Sequence, residues 1–322
     1  MRVIIHGVGA IGGVVGAALI EAGTEVLGIA RGRMLAALQA DAIRMISHRG
    51  TVELPFPCVA HPSEITFRPD DVVLLCVKGQ DTAAALEDLR AAGMTDQPLF
   101  CCQNGVANER VALRYFPNVH GVTVMMPATY LEPGEVITHG APCYGLFALG
   151  RYPGGTDAAD EALKQELERA NIAAFTSEEV MRTKYGKLLM NLGNIVDALL
   201  PLGVDRPRFT DRLKAEATAV FEAAGIGWED VGLDNPQRKD VMQIVEIEGT
   251  PRPGSSTRQS LARGAGSVET DYLNGEIALL GRLHGVPVPL NATLTALAAE
   301  RVASGQGAGS ISEDELERLF AS

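Results

Sequence analysis

A glycine-rich segment near the start of the chain constrains the fold more than any other feature. A β-branched run from Arg2 to His6 leads directly into Gly7-Val-Gly-Ala-Ile-Gly12, and small apolar residues continue to Ala22. This is the G-x-G-x-x-G pattern in its required context, after a strand and at the start of a helix. The first glycine permits a tight turn, the second lets the backbone approach a pyrophosphate, and the third allows close helix–strand packing. We therefore predict a dinucleotide-binding loop, with a glycine turn of another α/β protein as the alternative. Its residues are Gly7, Val8, Gly9, Ala10, Ile11 and Gly12.

Strand and helix patterns alternate through the first half of the chain. Predicted strands cover residues 24–30, 71–77, 98–102 and 119–126, and predicted helices cover 34–42 and 82–92. The run at 71–77 is continuously apolar, as in a strand that a parallel sheet buries on both faces. The alternation predicts an α/β fold with a doubly wound sheet of the Rossmann type.

The pattern changes in the second half, where strand signals nearly stop. Apolar periodicity predicts helices at 181–200, 209–224, 235–248, 270–284 and 291–304. We therefore predict two domains: a dinucleotide-binding domain of residues 1–177 and a mainly α-helical domain of residues 178–322.

Composition excludes several classes of function. The net charge of -12 argues against a partner such as nucleic acid or an anionic membrane. The five cysteines form no C-x-x-C pair, so we expect reduced thiols, no disulfide framework and no metal. With no targeting segment and no apolar stretch of membrane-spanning length, we expect a cytoplasmic protein. A homodimer is one assembly that the sequence allows without deciding it.

The end of the second predicted strand distinguishes between the two nicotinamide cofactors. An NAD enzyme usually places an acidic residue there to hold the ribose 2′-hydroxyl. This chain has Ala30-Arg31-Gly32-Arg33 instead. A guanidinium group suits a 2′-phosphate, so Arg31 predicts NADP, although solvated loop charges are the alternative.

Polar residues also follow two further strands. Lys78 ends the apolar strand at 71–77, and Asn104 precedes Gly105 after the strand at 98–102. Open α/β sheets bind ligands at the carboxyl ends of their strands, so both residues are candidates for contact with the cofactor. An ordinary strand-end lysine and a turn asparagine are equally open explanations.

A predicted helix in the second half carries three polar residues at regular spacing. Lys187, Asn191 and Asn194 are separated by offsets of four and seven, which places them on one face. The other faces are apolar, so the lysine needs a partner, and a cleft ligand with a carboxylate and a carbonyl would supply one. A lysine that extends to solvent beside backbone-bonded amides is the alternative.

Two later segments contain further candidates. Ser255 and Ser256 lie in a Pro/Gly loop that could bind an anionic substrate or could be ordinary turn residues. Glu269 lies near a predicted helix start, where it could act in a site or simply favour the helix dipole.

Together these stretches resemble the ketopantoate reductase (2-dehydropantoate 2-reductase) family over nearly the full chain. The resemblance rests on GVGAIGG at 7–13, ARG at 30–32, CVKGQ at 76–80, QNGVANE at 103–109, KLLMN at 187–191, SS at 255–256, ETDYLNG at 269–275 and HGVPVP at 284–289. It implies NADPH-dependent reduction of a small anionic 2-oxo acid.

The resemblance also implies a role for individual residues. Lys187 matches the catalytic lysine that donates a proton to the substrate oxygen. Asn191 and Ser256 match substrate-binding groups, the latter for the carboxylate, and Asn104 an amide between cofactor and substrate. Lys78 and Glu269 match positions that contact the cofactor, and Arg31 matches the arginine that binds the 2′-phosphate.

The chain departs from the family pattern on the substrate side. Ile195 stands where the family usually has a second asparagine, while an amide lies at Asn194. Pro253 replaces another asparagine, and SSTRQS replaces SSMLQD, so that Ser260 stands in place of the acid. A dehydrogenase for another 2-oxo or 2-hydroxy acid, or an NADP-sensing protein without activity, are therefore the alternatives.

Overall fold

The N-terminal strand lies inside a sheet whose neighbouring strands run parallel to it. The computed structural model describes residues 1–204, 206–264 and 266–321. β1 (Arg2–His6) pairs in parallel with β2 (Glu25–Ile29) and β6 (Asp71–Leu75). The remaining strands of this sheet are β5 (Cys58–Val59), β7 (Leu99–Cys101), β8 (Val119–Met125), β12 (Leu146–Arg151) and β13 (Ala173–Thr176). The strand order is β13-β12-β8-β7-β6-β1-β2-β5, and among these neighbours the pair of β12 with β8 is antiparallel.

Helices cover both faces of this sheet, which confirms the predicted Rossmann-type fold. They are α1 (Ala10–Glu21), α2 (Gly32–Ala40), α3 (Thr82–Ala91), α4 (Asn108–Ala112) and α5 (Ala158–Arg169), with short 3-10 turns at Pro62–Glu64 and Gly79–Asp81. Along β1, Val3 and Ile5 enter one apolar cluster and Ile4 enters another. The strand is therefore buried on both faces, which is why its sequence is a continuous apolar run.

A second sheet packs on α1, and the sequence patterns did not predict it. It consists of β3 (Ile43–Ser47), β4 (Gly50–Leu54), β9 (Ala128–Thr129) and β10 (Glu135–Thr138), in the order β4-β3-β10-β9. A Cβ on Gly13 would lie 2.6 Å from Val136, and one on Gly16 would lie 2.5 Å from Phe56. These contacts explain why a helix tolerates glycines that weaken helices by about 1 kcal/mol each.

The second half of the chain is mainly helical, as predicted. Its helices are α6 (Val180–Asn191), α7 (Asn194–Leu199), α8 (Pro207–Ala224), α10 (Ser256–Ala262), α11 (Asn274–His284), α12 (Pro289–Ala303) and α13 (Glu313–Ala321), with a 3-10 turn at Glu269–Tyr272. α11 packs on both α8 and α12. None of the described helices combines the length and apolar character needed to cross a bilayer.

The predicted helix at 235–248 is wrong. This segment forms α9 (Pro236–Lys239) and then β14 (Met242–Ile244), which pairs antiparallel with β11 (Gly140–Pro142). The distant edge of β11 supplies the hydrogen bonds of β14, so tertiary pairing overrides the local helical pattern.

The chain divides into two compact units that are not continuous in sequence. The first contains residues 1–103, 107–184 and 231–252, and the second contains residues 104–106, 185–230 and 253 onward. The division therefore falls within α6, a few residues after the predicted boundary at 177. The segment containing β14 returns to the first unit, and the short loop around Gly105 belongs to the second.

Candidate active site

The glycine loop of the first unit has the geometry of a phosphate cradle. Gly7 has φ +107°, and a Cβ there would lie 2.8 Å from the Val77 nitrogen. A Cβ on Gly12 would lie 2.1 Å from the Gly7 carbonyl oxygen, whereas one on Gly9 would meet nothing within 4 Å. Gly7 and Gly12 are thus required by the fold, while the space at Gly9 is open at the start of a twelve-residue helix. Such a site accepts an anion.

The remaining predicted loop residues differ in what they present. Val8 is buried, and its side chain packs in the apolar core of the first unit, where it anchors the loop. Ala10 and Ile11 are half-buried in the first turn of α1. The backbone of this segment, rather than its side chains, is available for binding a phosphate.

Arg31 lies at the end of β2, where the sequence predicted it. Its side chain is 83% exposed and forms an ion pair of 3.0 Å with Asp81. Asp81 belongs to the turn that follows Lys78, and its N–H donates to the Lys78 carbonyl. The structure therefore places the strand ends of β2 and β6 close enough for Arg31 and this turn to meet.

Gln103 connects the ends of β6 and β7. Its side-chain amide donates to the Val77 carbonyl and to the Thr82 hydroxyl, both at 2.8 Å. This buried contact holds the start of the loop that leads to Asn104.

A buried ion pair that the sequence analysis missed also supports this region. The Lys184 ammonium lies 2.5 Å from Glu109, and the two side chains are 2% and 0% exposed. The ammonium also donates to the Gln103 carbonyl at 3.0 Å and to the Val122 carbonyl at 3.3 Å. Gly121 lies beside the pair: an added Cβ there would be 3.5 Å from Lys184 and 3.6 Å from Glu109, both ordinary van der Waals contacts. The only sequence signal was a second lysine in an apolar helix and one acid after the QNG turn.

In the second unit, α6 presents Lys187 and Asn191 one turn apart. Lys187 is half-buried and Asn191 is 5% exposed. The Asn191 Nδ2 is buried and has no hydrogen-bond acceptor among the described residues. A buried donor without an acceptor is costly, so this amide is suited to a ligand oxygen.

Asn194 does not continue the α6 helix. The predicted helix at 181–200 is interrupted at Leu192 and Gly193, and α7 starts at Asn194. A Cβ on Gly193 would lie 2.7 Å from Thr210 of α8, so only glycine allows this close packing. The argument from offsets of four and seven therefore holds for Lys187 and Asn191 but not for Asn194.

Hydrogen bonds tie the other predicted segments to this break. The Asn274 amide donates to the Leu192 carbonyl at 3.2 Å and to Asn291 Oδ1 at 3.0 Å. The Ser255 hydroxyl donates to the Asn194 carbonyl at 3.0 Å, and Ser256 follows it, exposed, at the start of α10. The ETDYLNG and SS motifs thus converge on the end of α6.

Asn104 and Glu269 lie in adjoining segments of the same unit. Gly105 has φ +82°, and a Cβ there would lie 2.8 Å from the Tyr272 carbonyl oxygen. The Asn104 loop therefore packs directly on the 3-10 turn that begins with the half-buried Glu269. Six predicted residues share this unit: Asn104, Lys187, Asn191, Asn194, Ser256 and Glu269.

One group of possible metal ligands occurs among the described residues. His120 Nδ1 lies 2.8 Å from Asp160, and its Nε2 lies 3.8 Å from Asp157. Both carboxylates already form the capping box of α5, and Asp157 also pairs with Arg151. We assign this cluster to the structure of the first unit.

Comparisons with known proteins agree across both halves of the chain. The family model "Ketopantoate reductase PanE/ApbA" matches residues 3–154, and "Ketopantoate reductase PanE/ApbA C terminal" matches residues 179–302. A 2-dehydropantoate 2-reductase of Pyrococcus horikoshii is 27% identical over 312 residues, covering 95% of this chain and 99% of the relative. One of Halobacterium salinarum is 29% identical, with 92% and 97% covered.

Solved structures extend the likeness to three dimensions. A PanE/ApbA family ketopantoate reductase from Ralstonia eutropha has a TM-score of 0.79 at 29% identity, covering 95% of this chain and 100% of that one. A D-mandelate dehydrogenase solved with NADH and anilino(oxo)acetate has a TM-score of 0.77 at 22% identity, covering 95% and 99%, and shares the fold. With two family models matching its two halves, the chain belongs to the ketopantoate reductase family.

Proposed function

We propose that this chain reduces a 2-oxo acid to a 2-hydroxy acid with NADPH, converting 2-dehydropantoate (ketopantoate) to pantoate. Membership of the family makes it an oxidoreductase that acts on CH–OH donors. The observation that supports a small anionic substrate is the buried Asn191 amide with no acceptor among the described residues, one helical turn from Lys187. An ammonium and an amide donor at this spacing can bind the oxygens of one small anion.

The chain's residues fit an NADP cofactor in the first unit. The open space at Gly9 and the N-terminus of α1 would receive the pyrophosphate. Arg31 would bind the 2′-phosphate, and Lys78 would make a further contact with the cofactor. Asn104 and Glu269, which belong to the second unit, are proposed as cofactor contacts from the family resemblance. NADPH, when bound, supplies the hydride for the reduction.

The proton comes from the protein in this proposal. Lys187 stabilises the negative charge that develops on the substrate carbonyl oxygen and then gives that oxygen a proton. Asn191 and Asn194 orient the substrate, and the Ser256 hydroxyl binds its carboxylate. Such positioning matters because reacting atoms must be held in one geometry.

A different 2-oxo acid is the second candidate, favoured by the departures from the family pattern. Ile195 is 1% exposed and lies in the core, so it offers no polar group to a ligand. Ser260 is buried and donates to the Ser256 carbonyl at 2.9 Å. These positions therefore present neither the amide nor the carboxylate that the family usually has there.

Consumption of NADPH with a panel of 2-oxo acids tests the proposal and identifies the substrate. We expect the highest kcat/KM with ketopantoate, and Lys187→Ala is expected to reduce kcat by about 100- to 10,000-fold with cofactor affinity little changed. Higher kcat/KM with another acid would select the second candidate. An NADPH-binding protein that reduces none of the acids would instead be a cofactor sensor.

A cytoplasmic location and a homodimer are further predictions from the sequence.

A further inference from the structure

The turn that leads into α10 is tied to α7 by hydrogen bonds from one serine. The Ser255 hydroxyl accepts a hydrogen bond from the Arg258 N–H at 3.2 Å and donates to the Asn194 carbonyl at 3.0 Å. The Ser255 N–H donates to Asp197 Oδ2 at 2.7 Å. Side chain and backbone of this serine are therefore both fixed, and the exposed Ser256 comes next.

A buried ion pair connects the same two helices. Arg258 Nε donates to Asp197 Oδ2 at 3.4 Å, and the two side chains are 10% and 8% exposed. Arg258 Nη2 also donates to the carbonyls of Asp197 and Leu200 at the end of α7. A cation is favourable at a helix C-terminus, where carbonyl groups lack partners within the helix. Arg258 thus links α10 to the end of α7.

The turn packs directly against this pair. Gly254 has φ +93°, and a Cβ there would lie 2.6 Å from Arg258 Cδ and 2.8 Å from Asp197 Oδ2. Arg206 forms a second ion pair with the Asp197 carboxylate. The carboxylate is therefore held from two sides, and the turn has little room to adopt another shape.

Stability alone is a weak reason for such an arrangement. A buried ion pair is often no more stabilising than apolar residues of similar volume, because both charges lose their hydration. Its directional hydrogen bonds do, however, fix the orientation of the groups that they connect. Here those groups are α7 and the first turn of α10, and these elements carry Asn194 and Ser256 at their starts.

We propose that Asp197 and Arg258 are positioning residues for the substrate carboxylate: their ion pair holds the Ser255–Ser256 turn on α7, so that the Ser256 hydroxyl has one orientation. This inference rests on the proposed function, since it assumes that the ligand is a 2-oxo acid. It predicts that weakening the pair impairs carboxylate binding more than turnover or cofactor binding.

The experiment uses the full chain loaded with NADPH. Arg258→Met keeps the length of the apolar stem but removes the charge, and Asp197→Asn keeps the shape of the side chain. Calorimetry gives the Kd of oxamate, a 2-oxo acid analogue that is not reduced, and of NADPH. Steady-state kinetics give kcat and KM for ketopantoate. Arg318→Met, an exposed arginine on α13, is the matched control.

We expect both variants to raise the oxamate Kd and the ketopantoate KM about tenfold, with kcat and the NADPH Kd changed less than threefold. Ser256→Ala should show the same pattern, and Arg318→Met should resemble the wild type. An unchanged oxamate Kd, or parallel weakening of oxamate and NADPH, would overturn the inference. If Arg258→Met does not fold, Asp197→Asn carries the test with the same expectation.

The two proposals can fail separately in this experiment. A wild-type protein that binds oxamate but reduces no 2-oxo acid would refute the proposed function, while the oxamate comparison would still decide the role of the ion pair. A wild-type protein that does not bind oxamate would refute the inference itself.

Discussion

His6 allows a quantitative test of the buried end of β1. It is the last residue of the strand before the glycine loop, and its side chain is 7% exposed. Its Nδ1 has no hydrogen-bond partner among the described residues. Burial lowers the pKa of the His6 imidazole from 6.5 to about 4, with opposing attraction from Asp88 and further lowering by His61 and Arg31. The folded protein therefore holds this imidazole neutral.

The size of the effect follows from linkage between protonation and folding. Below pH 6.5 the unfolded chain binds a proton at His6 that the folded chain does not bind until about pH 4. The contribution to stability is therefore fully present above pH 6.5 and is lost as the pH falls towards 4. At pH 5.0 the two pKa values give a loss of about 2 kcal/mol relative to pH 7.5.

The perturbation is His6→Leu, which removes the titrating group. Urea unfolding of the cofactor-free protein, followed by circular dichroism, gives the free energy of unfolding at pH 7.5 and pH 5.0. The loss between these pH values should be about 2 kcal/mol smaller in His6→Leu than in the wild type. His284→Gln, at an exposed histidine, should lose as much as the wild type. Equal losses in His6→Leu and wild type would refute a neutral, buried His6.

Three further predictions follow from the structure of the first unit. Lys184→Met leaves a buried carboxylate unpaired, so it should lower the free energy of unfolding by about 3–5 kcal/mol, measurable by urea unfolding. Asp81→Asn removes the ion-pair partner of Arg31 and should lower the Kd of NADPH about threefold, as measured by calorimetry. Arg31→Asp should abolish the preference for NADPH over NADH. If Arg31→Asp still prefers NADPH over NADH, Arg31 does not bind the 2′-phosphate. Gly9→Ala should leave the melting temperature unchanged but weaken NADPH binding at least tenfold, whereas Gly12→Ala should lower the melting temperature, because only the second Cβ meets protein atoms.

Local patterns in the sequence predicted much of this molecule. The glycine loop, the continuous apolar strands and the helical second half are visible because strand and helix periods act over a few neighbouring residues. Lys187 and Asn191 could be placed on one face for the same reason, since they belong to one uninterrupted helix. The alternation of elements was enough to predict the Rossmann-type sheet.

Other features depend on contacts between residues that are far apart in the sequence. The segment at 235–248 contains a strand because β11 offers an unpaired edge, and the interruption between α6 and α7 lies at Gly193, where α8 packs closely on the glycine. No local pattern indicates either event. At these places the secondary structure depends on the packed neighbouring element more than on the local propensity of the sequence.

The sequence by itself determined the glycine loop, the buried strands of the main sheet and most helices of the second half, because hydrophobic periodicity and glycine geometry are local properties. Only the tertiary structure decided which charges are paired. Lys184 meets Glu109, and Arg258 meets Asp197, across long chain separations. A buried charge must find a partner to offset its lost hydration, and that partner is chosen by the fold and not by the neighbouring residues.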